Sequence, residues 1–439
     1  MRPVKVLTMI LAGGVGERLY PLTAQRSKPA VPFGGNFRII DFTIMNCVLS
    51  GLRNIHLLTQ YHSLSLAAHR SERWSFLSSE LGEFIEVVPP KMRTATGFYH
   101  GTADAIYRNL DILDRHRPDL VLCLSGDHVY RADYQKFIEA HLQNDADITV
   151  LSDWCESEAA SSFGVIEAKD GRIESFVEKP ADPTPYATDG RCQINLGVYC
   201  FGTKFLVQQL IADSKRRTAH DFGKNILPDS LDKGNVISCP LELICPDPVP
   251  YWRDVGTIDS YYRANMDTLE SPATFELGDS RWPDGSRFHE WLPSRFPGAR
   301  IEGQESGRNL ISSGCDVALA HVDRSVLSPG VKIGQDSEID GCILFPGVKI
   351  GRNVRLRRVV VEEGVNIPDG TVIGYGDDSR HFTQSPGGVI VIAAGYRFDE
   401  PAPLELVTEE TNEKPKKKHA NRVRKATREA LKDTALQES

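Results

Sequence analysis

Apolar runs alternate with helix-forming stretches through the first 270 residues of the chain. Residues 4–11, 55–60 and 120–124 are mostly apolar, which is typical of strands buried in a parallel sheet. Helical patterns follow these runs, for example at residues 64–70 and 105–113. This alternation predicts an α/β, Rossmann-like domain with a mixed, mainly parallel sheet. We therefore expect ligands at the carboxyl ends of the strands.

A different period begins beyond residue 311. The segment Pro-Gly-Val-Lys-Ile-Gly at 329–334 recurs at 346–351, and a related segment follows at 363–368. Three series of apolar residues are each spaced by 17 positions: Ile333, Ile350 and Ile367; Ile339, Leu356 and Ile373; Leu327, Leu344 and Val361. Stacked apolar residues at this spacing predict a left-handed, hexapeptide-type parallel β-helix.

These patterns divide the chain into four predicted segments. Residues 1–270 form the α/β domain, 271–310 a linker rich in Pro, Gly, Ser and Arg, 311–400 the β-helix, and 401–439 a basic tail. The tail carries a run of Lys and Arg between Lys414 and Lys432. A solvated terminal charge run is favoured over a helix that binds an acidic surface.

The composition, the net charge and the cysteine content favour some classes of protein and argue against others. The 439 residues are 41% hydrophobic and 25% charged, with a net charge of −8, which is typical of a globular protein and argues against a general nucleic-acid binder. Nine scattered cysteines without a CxxC pair favour buried thiols in a reducing cytosol. The first strand begins at Val4 and no apolar run reaches membrane-spanning length. We expect a cytoplasmic protein without a membrane segment.

The turn after the first strand has the composition of a phosphate-binding loop. Gly13, Gly14 and Gly16 permit a tight turn with exposed backbone N–H groups. Arg18 and Lys28 add fixed positive charge. The motif is neither GxGxxG nor GxxxxGK[ST]. Polyphosphate binding is favoured over an ordinary turn between strand and helix.

Two isolated acids follow apolar segments. Asp127 comes directly after a buried strand and Gly126, and Asp254 lies in the aromatic segment 251–257. Mg²⁺ binds one or two carboxylates together with substrate phosphates. The alternative for each acid is a solvated or helix-capping role.

Two further segments are candidates for substrate contacts. Gly101 and Thr102 precede a helix, where small and polar groups suit a nucleotide or a sugar. A simple N-cap by Thr102 or Asp104 explains this turn equally well. Glu178 and Lys179 close a strand at 173–178, where Lys179 would grip a phosphate and Glu178 would accept sugar hydroxyls. Adjacent unlike charges are also common on surfaces.

Five motifs occur in order along the chain. They are Gly-Gly-x-Gly-x-Arg-Leu at 13–19, Ser-Lys-Pro-Ala at 27–30, Gly-Asp-His-Val-Tyr at 126–130, Val-Glu-Lys-Pro at 177–180 and Tyr-Trp-Arg-Asp-Val-Gly-Thr at 251–257. With the β-helix behind them, residues 5–391 resemble the ADP-glucose pyrophosphorylase family of bacteria. The segments 37–42 and 251–257 separate this family from dTDP-glucose and GDP-mannose relatives. The resemblance implies a nucleotidyltransferase that makes ADP-glucose and pyrophosphate from ATP and α-D-glucose 1-phosphate for glycogen synthesis.

The resemblance also implies roles for residues. Those implied in catalysis are Arg18, Lys28 and Asp127. Those implied at ATP are Gly13, Gly14, Gly16, Gly101 and Thr102. Those implied at glucose 1-phosphate are Tyr99, Gly164, Glu178, Lys179, Asn195 and Tyr199. The implied Mg²⁺ ligands are Asp127 and Asp254.

The family also implies a homotetramer and an allosteric metabolite effector. Basic residues that fit an effector site are Arg38, Arg115, Arg355 or Arg357, and Arg380. Gln25, Pro32 and Gln384 stand where enteric enzymes carry Lys, His and Arg. Fewer cationic groups should weaken binding of a bisphosphate. We therefore expect fructose 1,6-bisphosphate to activate poorly or not at all.

Two alternatives to an ADP-glucose-forming enzyme remain at this stage. A non-catalytic regulatory subunit would keep the fold, although the charged residues of the motifs are all present. The second alternative is an enzyme that uses a different sugar phosphate, such as glucosamine 1-phosphate, or a different nucleotide. Its support is Asn195, which stands where the family usually has Ser. An acyltransferase is disfavoured because no catalytic His is placed in a coil of the short β-helix.

Overall fold

The structure is a computed structural model that describes residues 4–75, 77, 79–91, 97–270, 275, 277, 299–302 and 304–398. The strands of the α/β domain are β1 (Val6–Ala12), β2 (Pro32–Phe33), β3 (Phe37–Arg38), β4 (Asn54–Thr59), β5 (Phe84–Val88), β6 (Leu120–Ser125), β7 (His128–Tyr130), β8 (Ile148–Glu156), β9 (Gly164–Lys169), β10 (Arg172–Glu178), β11 (Arg191–Gly202), β12 (Val236–Pro240) and β13 (Trp252–Asp254).

Helices connect these strands. They are α1 (Ile39–Leu49), α2 (Ser63–Arg73), α3 (Thr102–Tyr107), α4 (Leu110–His116), α5 (Tyr134–Gln143), α6 (Ser157–Ala160), α7 (Thr203–Ser214), α8 (Leu227–Ser230) and α9 (Ile258–Asp267). Short 3₁₀ turns occupy Glu17–Leu19, Lys28–Ala30, Ser79–Leu81, Thr184–Tyr186 and Leu241–Leu243, and a π-helical turn occupies Phe222–Ile226. None of the helices in the described part of the chain is both long and apolar enough to span a bilayer.

The predicted mixed sheet is confirmed, and its two halves differ. The order of the nine strands is β5-β4-β1-β6-β11-β8-β12-β10-β9. Strands β5, β4, β1 and β6 are parallel, as is the β12–β8 pair. Strand β11 runs antiparallel to β6, β8 and β9. The parallel half therefore ends in the Gly-rich turn and Asp127, as the rule for such sheets requires. Tyr99, Gly101 and Thr102 lie between β5 and β6 of the same half, and the antiparallel half carries Gly164, Glu178, Lys179, Asn195 and Tyr199.

The helical pattern at 105–113 forms two helices rather than one. Helix α3 ends at Tyr107 and α4 begins at Leu110. The side-chain amide of Asn109 lies at the break and donates to Ala105 O at 2.8 Å and to Tyr99 Oη at 3.1 Å. A side chain that bonds the backbone in this way competes with continuation of the helix.

The C-terminal domain is a parallel β-helix with three sheets. Its strands are β14 (Arg300–Ile301), β15 (Gln304–Ser306), β16 (Leu310–Ile311), β17 (Asp316–Val317), β18 (His321–Asp323), β19 (Val326–Leu327), β20 (Lys332–Ile333), β21 (Glu338–Asp340), β22 (Ile343–Leu344), β23 (Lys349–Ile350), β24 (Arg355–Arg357), β25 (Val359–Val361), β26 (Asn366–Ile367), β27 (Val372–Ile373), β28 (Thr383–Gln384) and β29 (Ile390–Ile392).

The three apolar series predicted from the spacing of 17 are confirmed by the strand register. Ile333 pairs with Ile350 and Ile350 with Ile367. The series through Leu356 and the series through Leu344 stack in the same way. All of these side chains are buried, so each coil covers the apolar face of the next.

The β-helix begins earlier than the sequence predicted. Strands β14, β15 and β16 lie at Arg300–Ile311, where a linker over 271–310 was expected. They pair in parallel with the next coil, but their sequence lacks the repeated Pro-Gly-Val motif. Most of the remaining predicted linker and the predicted tail at 401–439 lie outside the described residues. Through Phe398 the α/β domain and the β-helix form one unit.

Candidate active site

A cavity of about 560 Å³ opens at the carboxyl ends of β1 and β6 and extends under β11. Its wall includes nearly every residue that the sequence implicated in chemistry or substrate binding. These are Gly13, Gly14, Arg18, Lys28, Tyr99, Gly101, Thr102, Asp127, Gly164, Glu178, Lys179, Asn195, Tyr199 and Asp254. The fold thus gathers residues from eight separate segments into one space.

Gly16 is the predicted loop residue that does not line this cavity. Its φ is +69°, and a Cβ there would lie 2.9 Å from Lys28 Cβ and 3.0 Å from Thr23 Cγ2. Thr23 Oγ1 donates to Gly16 O at 2.9 Å. The glycine therefore lets the turn pack against the base of Lys28. Gly14, by contrast, has open space where its Cβ would be, as a surface for a close-approaching phosphate requires.

Lys28 joins the two isolated acids. Its Nζ lies 2.9 Å from Asp127 Oδ2 and 2.7 Å from Asp254 Oδ1. The acids meet because β7 pairs antiparallel with β13, which places Asp254 opposite His128. Arg18 is close by, since a Cβ on Gly256 would lie 3.0 Å from Arg18 Nη2 and 3.0 Å from both carboxylate oxygens of Asp254.

The electrostatics of this cluster keep Asp127 and Lys28 charged. Burial raises the pKa of Asp127, but the charges of Lys28 and His128 and hydrogen bonds from Ser125 and Lys28 lower it by more, to well below its usual range. Burial lowers the pKa of Lys28, but Asp127 and Asp254 raise it by more. Asp127 is therefore a carboxylate and Lys28 an ammonium at neutral pH.

The donor set of the cluster fits a divalent metal ion. One ligand atom each from Asp127, His128 and Asp254 lies within 4.8 Å of the other two. Two carboxylates are the hard oxygen ligands that Mg²⁺ and Mn²⁺ prefer. Both acids are part-exposed to the cavity, at 29% and 25%, so an ion carried in by a phosphate can reach them.

One wall of the cavity is formed by the turn at Gly101 and Thr102. Thr102 Oγ1 donates to Asp221 Oδ2 at 2.9 Å and accepts from Phe222 N at 2.9 Å. His220 O accepts from Ala103 N at 2.9 Å. The hydroxyl of Thr102 thus ties α3 to residues 220–222 and does not cap the helix, whose N-cap is Gly101. The N-cap alternative for Thr102 was wrong.

Glu178 and Lys179 line the cavity beside residues 221–223. A Cβ on Gly164 would lie 2.8 Å from Glu178 Oε2, and one on Gly223 would lie 2.5 Å from it. These two glycines therefore make room for the carboxylate. Burial raises the pKa of Glu178, Asp221 raises it further, and Lys179 only partly opposes them. Lys179 Nζ lies 3.7 Å from Glu178 Oε1 and is 59% exposed, free to meet an anion.

Asn195 and Tyr199 lie on a bulge in β11. The register against β8 shifts between them, and Gly197 at the bulge has a φ of +69°. Asn195 Oδ1 accepts from Gly197 N at 2.9 Å, and Asn195 Nδ2 donates to Tyr199 Oη at 2.8 Å. The amide is thereby fixed in orientation, with one of its two N–H groups committed to Tyr199.

The cavity wall also includes residues that the sequence analysis did not single out: Gln60, His128, Asp221, Phe222 and Trp252. Gln60 Oε1 accepts from Tyr99 N at 2.8 Å. The ring of Trp252 lies edge-on to His128 and Phe163 at 5.0 and 5.5 Å. Trp252 Nε1 is buried without a hydrogen-bond partner among the described residues. The aromatic segment 251–257 was a signal for Trp252, but nothing local marked Gln60.

The predicted effector-site arginines occupy different neighbourhoods. Arg38 Nη1 donates to Ser65 O at 3.2 Å, and Arg115 lies beside His56 and His116. Arg355 and Arg357 both lie over the Tyr375 ring, at 4.6 and 6.0 Å. Arg380 faces Asp377. Within the described residues, these contacts bring only Arg355 and Arg357 together.

The chain matches two family models. The model described as nucleotidyl transferase matches residues 7–271. The model described as a GlmU-like, C-terminal hexapeptide matches residues 295–392, which agrees with the left-handed form predicted for the β-helix. The second match includes the first coil, at residues 300–311, which the repeated motif did not predict.

Curated relatives match over nearly the whole chain. A glucose-1-phosphate adenylyltransferase 2 from Alkalilimnicola ehrlichii is 41% identical over 88% of this chain and 93% of its own. A glucose-1-phosphate adenylyltransferase from Koribacter versatilis is 39% identical over 93% of this chain and 100% of its own. One from Nitrosomonas europaea is 42% identical over 88% of this chain and 92% of its own.

Proposed function

Because the chain belongs to the glucose-1-phosphate adenylyltransferase family of nucleotidyl transferases, we propose that it transfers the adenylyl group of ATP to α-D-glucose 1-phosphate. The products are ADP-glucose and pyrophosphate, and the reaction is the activated-sugar step of glycogen synthesis. One observation carries the proposal. The Lys28–Asp127–Asp254 cluster lies in the same cavity as the Gly-rich turn and the Glu178–Lys179 edge.

The geometry supports a division of this cavity into two sides. Gly13, Gly14 and the Gly101–Thr102 turn form the side proposed for ATP. Glu178, Lys179, Gly164, Asn195 and Tyr199 form the side proposed for the sugar phosphate. Arg18, Lys28 and Lys179 supply positive charge along the path between the two phosphates.

The proposed chemistry needs positioning and charge more than proton transfer. A phosphate oxygen of glucose 1-phosphate is already an anion, so it attacks the α-phosphorus of ATP in line without a general base. Lys179 orients the attacking phosphate, and Arg18 and Lys28 neutralise the triphosphate. The salt bridges of Lys28 fix its ammonium before substrate arrives, which reduces the reorganisation needed in the transition state.

Mg²⁺ is the proposed cofactor, and Asp127 and Asp254 are its proposed ligands, with His128 within reach. Nucleotidyl transferases generally use divalent metal ions, and the acidic oxygens fit one. When bound, Mg²⁺ would neutralise the charge that develops on the pyrophosphate leaving group. The carboxylates of Asp127 and Asp254, both of which bind Lys28, would set the position of the Mg²⁺ relative to the leaving group.

The experiment that tests the function is a substrate screen. The purified protein is incubated with Mg²⁺, one of ATP, UTP, dTTP or GTP, and either glucose 1-phosphate or glucosamine 1-phosphate, and pyrophosphate release is measured. Release with ATP and glucose 1-phosphate supports the proposal. Release with a different pair would mean that the enzyme makes another sugar nucleotide. No release with any pair would favour a regulatory subunit.

Removing the Tyr199 hydroxyl should alter sugar affinity. We expect Tyr199→Phe to raise KM for glucose 1-phosphate about fivefold to tenfold, because the loss of one hydrogen bond costs about 1 kcal/mol and frees the Asn195 amide to turn. The kcat should change less than about twofold. Steady-state kinetics in each substrate measure this. Tyr134→Phe is the control, since its hydroxyl bonds Tyr130 in the core and its loss should leave KM unchanged.

The raised pKa of Glu178 predicts a pH dependence. Its carboxylate accepts sugar hydroxyls more strongly when ionised, so kcat/KM for glucose 1-phosphate should fall as the pH falls through the raised pKa. Glu178→Gln should have a lower kcat/KM and should lack this limb. The substrate phosphate titrates with both enzymes, so the ratio of wild type to variant at each pH isolates Glu178. A constant ratio across the profile would contradict the assignment.

We further propose a cytoplasmic homotetramer under allosteric control, as the family implies. Eight of the nine free cysteines are buried and Cys155 is partly so, which suits a reducing compartment. Gln25, Pro32 and Gln384 reduce the positive charge available to a bisphosphate. Fructose 1,6-bisphosphate should therefore activate pyrophosphate release weakly or not at all. A large activation at low concentration in the kinetic assay would refute this.

A further inference from the structure

The β-helix makes a buried ion pair with the loop that carries Lys28. Arg26 Nη1 lies 2.7 Å from Glu362 Oε1 and 2.9 Å from Oε2, and it also donates to Leu22 O at 3.3 Å. Arg26 is 9% exposed and Glu362 1%. Glu362 follows β25 directly, and its N–H donates to Ile392 O in the next coil. The guanidinium is therefore held by a rigid part of the β-helix.

A second set of contacts joins the β-helix to the segment that carries Asp254. Asp259, in the first turn of α9, accepts a hydrogen bond from Ser385 Oγ and another from Gly387 N at 3.0 Å. A Cβ on Gly387 would lie 2.4 Å from Asp259 Oδ1, so the approach is close. One turn further on, Tyr262 Oη donates to Gly341 O at 2.7 Å. The β-helix thus holds the first two turns of α9.

Both contacts are close in sequence to the charged cluster of the cavity. Arg26 lies two residues before Lys28, and Asp259 lies five residues after Asp254. Lys28 begins a 3₁₀ turn in which its carbonyl accepts from Val31 N, and Thr257 caps α9. These short, hydrogen-bonded connections allow little movement of Lys28 relative to Arg26, or of Asp254 relative to Asp259. Since Lys28 Nζ and Asp254 Oδ1 are 2.7 Å apart, the contacts form a closed ring through both domains.

We propose that the β-helix fixes the position of Lys28 relative to Asp254, and that Arg26, Glu362 and Asp259 are positioning residues for adenylyl transfer. We refer to the Arg26–Glu362 pair and the contacts of Asp259 with Ser385 and Gly387 as the interdomain brace. This inference rests on the proposed function. A misplacement of about 1 Å at reacting groups costs about 10²-fold in rate, so loosening the brace should lower turnover while substrate affinity is kept.

The main experiment compares Glu362→Gln and Asp259→Asn in the full-length protein. We expect each to lower kcat for pyrophosphate release about tenfold to a hundredfold, with KM for ATP and for glucose 1-phosphate within about twofold. Asp369→Asn is the matched control, because Asp369 also accepts a backbone N–H, from Arg352 at 2.8 Å, but within the β-helix alone. It should retain the wild-type kcat. Thermal unfolding of each variant establishes that it is folded at the assay temperature.

A double-mutant cycle separates positioning from simple stabilisation. If the brace acts through Lys28, Glu362→Gln should lower kcat much less in a Lys28→Ala background than in the wild type. If Glu362→Gln lowers kcat by the same factor in the Lys28→Ala background as in the wild type, the proposal is overturned. A wild-type kcat in both Glu362→Gln and Asp259→Asn would also overturn it. If Glu362→Gln does not fold, Asp259→Asn and its cycle with Lys28→Ala decide alone. A wild-type protein that releases no pyrophosphate would instead refute the proposed function.

Discussion

Asp127→Asn should lower kcat for pyrophosphate release by about 10³-fold, with little change in stability. The variant keeps the size of the side chain but removes a charge that binds Lys28 at 2.9 Å and that is proposed to hold the metal ion. Loss of one preorganised electrostatic group costs about 10²–10³ in rate, and a weakened metal site adds to this. Lys28 keeps its salt bridge to Asp254, so the fold should tolerate the change.

The measurement is kcat at saturating substrate across a Mg²⁺ titration, together with thermal unfolding. Asp182→Asn is the control, since Asp182 is an exposed acid that accepts from Thr184 N at 3.0 Å and does not line the cavity. We expect its kcat to match the wild type. A turnover for Asp127→Asn within about tenfold of the wild type, at any Mg²⁺ concentration, would remove Asp127 from the proposed machinery.

Local sequence patterns predicted the parts of this fold that are held by nearest neighbours. Each coil of the β-helix stacks on the previous one, so a spacing of 17 fixes the register of Ile333 on Ile350 without further information. The same logic fails at the first coil, where β14 and β15 stack without the repeated motif. A strand that pairs with the next coil need not carry the repeated motif of that coil.

The candidate site was predictable as a set of residues but not as an arrangement. A buried strand that ends in Gly-Asp marks Asp127, yet nothing in the sequence states that β7 pairs with β13 and brings Asp254 to it. Pairing at long sequence separation depends on the packing of the whole sheet. For the same reason Lys28 was assigned to a polyphosphate alone, whereas in the structure it also binds both acids.

Contacts between the two domains were beyond sequence reasoning. Arg26 and Glu362 are 336 positions apart, and each is an ordinary charged residue in its own segment. Their burial and pairing arise only when the β-helix packs on the loop before Lys28. A buried charge of this kind is stable only while its partner is present, which leads to the second large effect.

Arg26→Met should lower the free energy of unfolding by about 3–5 kcal/mol at neutral pH. Methionine fills a similar length, but it leaves Glu362, only 1% exposed, as an unpaired charge in the interface, and breaking a buried pair from one side has this cost. Urea unfolding monitored by fluorescence measures the change. Arg352→Met is the control, because its pair with Asp369 is exposed and its removal should have little effect.

The loss in free energy of unfolding caused by Arg26→Met should depend on pH, and the pKa of Glu362 determines the direction of that dependence. Burial raises the pKa of Glu362 even in the wild type, and the charge of Arg26 opposes this. Without Arg26 the folded-state pKa rises further above the unfolded value, so the folded state binds the proton more tightly. Stability should therefore fall as the pH rises from the unfolded pKa through the folded pKa. The deficit should be smallest in acid, where Glu362 is protonated in both states.

Adding Glu362→Leu to Arg26→Met tests the cause. If the loss comes from an unpaired buried carboxylate, replacing both partners by apolar residues should restore most of the free energy of unfolding and remove the pH dependence. If the loss comes from packing at residue 26, the double variant should be no more stable than the single one. A restored stability with a low kcat would also show that the ion pair contributes more to turnover than to folding, because an apolar contact cannot fix the direction in which the loop presents Lys28.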